Sequence, residues 1–77
     1  MSILTSCKIN NVKDIISKMN LDFDKIYQNT TFFQLYTSFQ DITKESIDIN
    51  SFYFELESNN IIKVKNSNIY SFSINPF

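Results

Sequence analysis

The sequence predicts a small α+β domain, mostly helical, closed by a C-terminal β-hairpin. Apolar residues recur at helical spacing over 12–19 and again over 32–39. Residues 61–74, "IIKVKNSNIYSFSI", instead alternate with a period of two on either side of an Asn-Ser-Asn turn. A chain of 77 residues is one domain, 1–77, with a modest core. At 43% hydrophobic and 19% charged it has a globular balance.

Along the chain, Ile3, Thr5, Cys7 and Ile9 alternate with Ser2, Leu4, Ser6 and Lys8, a pattern that permits a short strand or a frayed lead-in. A first helix follows. Asn11 is a suitable N-cap, Asp14 stands in capping-box position, and Val12, Ile15, Ile16 and Met19 form one apolar stripe. Asn20 suits a left-handed helix exit. Asp22 is placed to cap a further helix carrying Phe23, Ile26 and Tyr27, bent or interrupted at residues 29–31. Over 31–39 the β-rich composition competes with a helical set, Phe32, Leu35, Tyr36 and Phe39. The helix is favoured because it gathers four apolar residues on one face.

Residues 41–60 read as two short helices around a turn. Thr43 caps the first, which includes Glu45 and Ile47. Asp48 or Asn50 caps the second, which points Phe52 and Leu56 inward with Tyr53 beside them and exits through Asn59 and Asn60. In the hairpin, a three-residue loop at Asn66, Ser67 and Asn68 pairs Lys65 with Ile69 and Ile62 with Phe72. That register puts Ile62, Val64, Tyr70, Phe72 and Ile74 on one face, with Ile69 alone out of place. Asn68 then takes the left-handed position. An alternative architecture has short N-terminal and central strands joining the hairpin in a mixed sheet.

The missing residues restrict the chemistry. The chain has no Gly, Ala, His, Arg or Trp. Without Gly it lacks phosphate-cradling loops and the dinucleotide fingerprint. Without His, and with one Cys, it lacks the ligands of an ordinary zinc site and the usual nucleophile–base pairs. Without Arg it has no bidentate clamp for phosphate or guanine. No catalytic group and no cofactor are therefore expected. No apolar run reaches the roughly 18 residues of a membrane span, and the first ten residues do not read as a secretory signal. A lone Cys7, read as a small apolar residue, fits a reducing, cytoplasmic setting. The near absence of amino acids with GC-rich codons points to an AT-rich source such as a phage, another virus, a parasite or a low-GC bacterium.

"ITKESIDINSFYFELESNNIIKVKNSNIYSFSI" resembles the second half of a winged-helix domain: a short helix, a turn, a helix ending in Leu56-Glu57-Ser58-Asn59, then Ile61-Ile62-Lys63 and a hairpin wing. The resemblance covers about half the chain and implies either DNA binding or protein docking. If DNA is bound, the resemblance puts the helix over 51–59 in the major groove. That helix offers Glu55 and Glu57 and no cation, on a chain of net charge −1. Lys63 and Lys65 on the wing, with Lys8, Lys13 or Lys18, make at most a small basic patch and also suit the guarding of a strand edge.

Eight Phe and four Tyr exceed what so small a core readily hides, with Tyr27, Phe33, Tyr36, Tyr53, Phe54 and Phe77 the candidates for exposure. Asp41, Glu45, Asp48 and Glu55 offer a local acidic face. The closing Asn75-Pro76-Phe77 resembles the ligand of endocytic EH domains, and equally a strand ended by proline. The reading that follows is a non-enzymatic protein-binding module. It suits a small phage or viral accessory protein that inhibits a host nucleic-acid machine, as anti-CRISPR proteins do. Its protein interface is expected at Tyr36, Tyr53, Phe54, Glu55, Lys63 and Lys65. A winged-helix DNA-binding regulator and a structural subunit of a larger complex are the alternatives.

Overall fold

A computed structural model describes residues 4–76. Its first helix, α1 (Ser6–Lys18), starts well ahead of the expected cap at Asn11. Thr5 caps it instead, its hydroxyl accepting from the Lys8 N–H at 3.3 Å. The early start brings Ile9 onto the stripe of Val12 and Ile16 and packs it against the core. Residues 6–9 are therefore helical rather than extended, while Ser2 and Ile3 lie outside the described residues. The exit is as expected. Asn20 takes the left-handed region at φ 55°, its N–H donates to Ser17 O, and the Leu21 N–H donates to Ile16 O. These two bonds form a Schellman motif with Asn in the usual place of Gly.

The helix expected over 23–27 does not form. Asp24 is left-handed and donates its N–H to Ile74 O at 3.0 Å, and Ile26–Tyr27 form a short strand, β1. Long-range pairing overrides local pattern here. Without β1, the last strand of the chain would carry an open row of N–H and C=O groups. The Tyr27 ring also packs on Phe72, with centroids 5.8 Å apart.

Residues 31–39 are helical, inside one long helix, α2 (Asn29–Thr43), which buries Phe32, Leu35 and Phe39. Thr43 ends this helix rather than capping a new one, and its hydroxyl donates back to Phe39 O. The expected helix around Glu45 and Ile47 is replaced by a loop over 44–48, entered through left-handed Lys44. Side chains of α2 hold that loop. Gln40 Oε1 accepts from the Ile47 N–H at 2.9 Å, and the Tyr36 hydroxyl donates to Ile47 O. Both backbone groups of Ile47 are thus satisfied without a helix.

Asp48 caps α3 (Ile49–Ser58) by accepting from the Ser51 N–H at 3.0 Å. This helix buries Phe52, Tyr53 and Leu56, then leaves through a second Schellman motif with left-handed Asn60. The hairpin strands are β2 (Ile62–Asn66) and β3 (Ser71–Ile74). With β1 they form a three-stranded antiparallel sheet in the order β1-β3-β2. The described residues thus form a small α+β fold of three α-helices and one sheet. Neither the N-terminal segment over 6–9 nor residues 31–39 supply a strand to this sheet; the short β1 joins the hairpin instead, and its pairing is antiparallel.

The hairpin register is corrected by two residues. Ile62 faces Ile74 and Val64 faces Phe72, and a bulge then brings Asn66 opposite Ser71. A 3₁₀ turn, Ser67–Ile69, fills the tip, and the left-handed residue is Tyr70 rather than Asn68. A slip of two keeps every side chain on its own face, so the expected core face survives the change. Ile62, Phe72 and Ile74 are fully buried, and Val64 and Tyr70 pack at their margin. Phe32, Phe39, Phe52, Tyr53 and Phe72 fill the centre. Phe32 meets Tyr53 edge-on at 5.0 Å and Phe39 stacks on Phe52 at 4.7 Å.

Candidate protein-docking surface

Parts of three uncharged stretches meet at Tyr70. Residues 26–40, 49–54 and 66–76 contain no Asp, Glu or Lys. The folded chain joins them through Tyr70. Its ring contacts Phe33 of α2 at 6.0 Å and Tyr53 of α3 at 5.1 Å, and its hydroxyl donates to Asn50 Oδ1 in the first turn of α3. Beside Tyr70, Ile69 at the hairpin tip is 40% exposed and Phe33 is 45% exposed. Phe33 also borders a shallow depression of about 340 Å³ on the outer side of α2, lined with Gln34, Thr37 and Ser38. Tyr53 carries the cluster on to Phe54, which is 49% exposed with ring centroids 5.6 Å away.

The six residues expected at an interface separate in the structure. Phe54, Lys63 and Lys65 are exposed. Tyr53 is fully buried (0%), so the expectation that it lies on the surface is overturned. The helix phase set by the Asp48 cap turns it inward with Phe52 and Leu56, and its hydroxyl donates to Ser71 O. Burial lifts its phenol above the ordinary value near 10, with smaller upward contributions from Glu57 and Tyr70. Tyr36 is half-buried with its hydroxyl committed to Ile47, and half-buried Glu55 accepts from the Leu4 N–H at 3.3 Å. Both hold the fold together. Of the other aromatics named as exposed, Tyr27 is half-buried and Phe77 lies outside the described residues.

The anticipated acidic face is likewise dispersed. Asp41 pairs with Lys44, Glu45 with Lys8, Asp48 caps α3, and Glu55 holds Leu4. Among the described residues there is no group of three or more His, Cys, Asp or Glu side chains placed to hold a metal ion, and Cys7 is exposed. No described helix is long and apolar enough to cross a membrane.

Ile69 and Tyr70 are not among the residues that the sequence marks for exposure. Ile69 stood out only as the one residue that spoiled the hairpin alternation. That misfit and the uncharged runs are the sequence signals that fall on this surface; charge depletion and aromatic residues are typical of interface centres in general. No family profile, no curated protein and no solved structure matches this chain.

Proposed function

We propose that this chain is a non-enzymatic protein-binding module that docks through the uncharged surface around Phe33, Ile69 and Tyr70. The observation that carries the reading is the exposure of Phe33, whose ring meets Tyr70, and of Ile69, the residue before Tyr70 in the chain, with Tyr70 itself fixed to the core. Large apolar side chains in an uncharged setting, held by a rigid element, are what a partner's surface can bury with little ordering cost. The arrangement of α2, a loop, α3 ending at Leu56-Glu57-Ser58-Asn59 and a hairpin supports a winged-helix-like use of the chain as a docking domain. Around the exposed part of α3 stand Phe54 and Glu57, which suits a protein better than a phosphate backbone. The absence of His and Arg and the uncharged exposed surface suit an accessory protein that inhibits a larger nucleic-acid machine by occupying its surface.

Affinity capture from the source cell with the wild-type chain and a Phe33→Ser/Ile69→Ser variant of equal melting temperature tests this reading. The expected result is one stoichiometric partner retained by the wild type and lost by the variant. Equal retention by both, or capture of nothing by the wild type, overturns it.

A further inference from the structure

The outer side of α2 carries a projection and a hollow on one face. Phe33 and Thr37 form one ridge at i, i+4 spacing, and Gln34 and Ser38 form the ridge beside it. These four residues line the depression of about 340 Å³. Phe33 is its one large side chain, 45% exposed, with the Tyr70 ring against its flank at 6.0 Å. Thr37 is exposed and Ser38 half-buried, and both are short. A bulky apolar knob therefore stands beside a space that can receive a ring.

Shape, hydrogen bonding and charge all point to a second copy of the chain as the occupant. A two-fold axis between Phe33 and Thr37 sets two α2 helices antiparallel. It lays each Phe33 over the Thr37 and Ser38 of the other copy, so both knobs fill both hollows. Meshing of i, i+4 ridges from both helices is the commonest class of helix packing. A parallel pair would instead set Phe33 against Phe33 and leave the hollows empty. The polar groups of Gln34, Thr37 and Ser38 are amides and hydroxyls, each both donor and acceptor. They can bond to their own kind across an axis, which two carboxylates or two ammonium groups cannot do. Residues 26–40 carry no charge, so the axis brings no like charges together. Asp41, next along the Phe33 ridge and paired with Lys44, falls toward the first turn of the other α2. That turn has no acidic residue, and a helix N-terminus favours an anion. A net charge of −1 adds little repulsion between copies.

We propose that the free chain forms an antiparallel homodimer through Phe33, Gln34, Thr37 and Ser38 of α2, so that self-association and partner docking compete for Phe33. The competition rests on the reading of Phe33 as a docking residue and adds a means of regulating it. The test uses the isolated chain. Sedimentation velocity is run over about a hundredfold range of protein concentration, with amide NMR shifts followed through the same series. The expected result is a reversible monomer–dimer equilibrium with shifts centred on residues 30–38. Position 37 of each copy lies close to the axis and so to its own counterpart. Thr37→Glu and Thr37→Lys should therefore each weaken self-association about tenfold or more, with the far-ultraviolet circular dichroism spectrum unchanged. An equimolar mixture of the two variants should restore it. A chain that stays monomeric throughout, a dimer whose shifts fall elsewhere, or a mixture no tighter than either variant alone overturns the proposal. A monomeric chain that still captures a partner through Phe33 and Ile69 ends the homodimer and leaves the docking reading standing. A dimer of the expected kind that captures no partner supports the self-association and ends the docking reading alone.

Discussion

The ring of Tyr70 lies flat against that of Phe32, with centroids 5.3 Å apart and planes 2° from parallel. Phe32 is the middle of the core, so this stack ties the hairpin tip to the centre of the molecule. The backbone of Tyr70 is left-handed, at φ 52°, a conformation that costs a bulky residue on the order of 1–2 kcal/mol. The stack on Phe32, the edge contact with Tyr53 and the bond to Asn50 hold it there. Tyr70→Gly should therefore destabilise the fold by about 2 kcal/mol or more, although it relieves the backbone. Tyr70→Phe, which loses only the bond to Asn50, should cost about 1 kcal/mol. Urea unfolding of both variants decides. A stabilised Tyr70→Gly variant would show that the strain, and not the stack, dominates at the tip.

Helix ends offer a second check. Asp48→Ala removes the acceptor for the Ser51 N–H and should cost about 1 kcal/mol. Lys44→Gly, at the left-handed exit of α2, should instead stabilise by roughly 0.5–1 kcal/mol, because glycine takes that backbone freely. Chemical denaturation with an unchanged m-value reads both changes. The same sign for both would contradict the capping geometry.

The buried Tyr53 phenol makes a pH prediction. Its pKa is raised in the fold, first by burial, so the folded state holds this proton more tightly than the unfolded chain does. The associated stability is complete below the ordinary value near 10 and is lost as pH rises through the folded value. Melting temperature should fall above about pH 10, and Tyr53→Phe should flatten that fall relative to wild type. A variant with the same alkaline slope as wild type would remove Tyr53 as the cause.

Cross-strand NMR contacts test the hairpin. Val64 should contact Phe72 directly opposite, and Ile62 should contact Ile74. Direct pairing of Lys65 with Ile69 would restore the shorter loop and displace Tyr70 from its stack.

That hairpin also shows how far a sequence can be read. Alternation made its buried face legible, because side-chain direction depends only on parity. The register was not legible, because two pairings share the same parity and differ in whether Tyr70 can reach Phe32. Two-residue β1 was hidden for a similar reason. It exists because β3 needs a partner on that side, and nothing local in "FDKIY" says so. At Tyr53 and Phe54, adjacent aromatics look equivalent as composition. Only the phase fixed by the Asp48 cap buries one and exposes the other. The helical stripes of α1 and α2 were legible because each places several apolar residues on one face, and burial of that face needs no distant detail.

The central claim is that Phe33 and Ile69 form the docking surface. Its most direct measurement is the dissociation constant of the captured partner for wild type and for Phe33→Ser/Ile69→Ser, by calorimetry, with melting curves alongside. Binding should weaken about a hundredfold, roughly 2.7 kcal/mol, with little change in melting temperature. An affinity within about twofold of wild type would place the interface elsewhere on the molecule and contradict the claim.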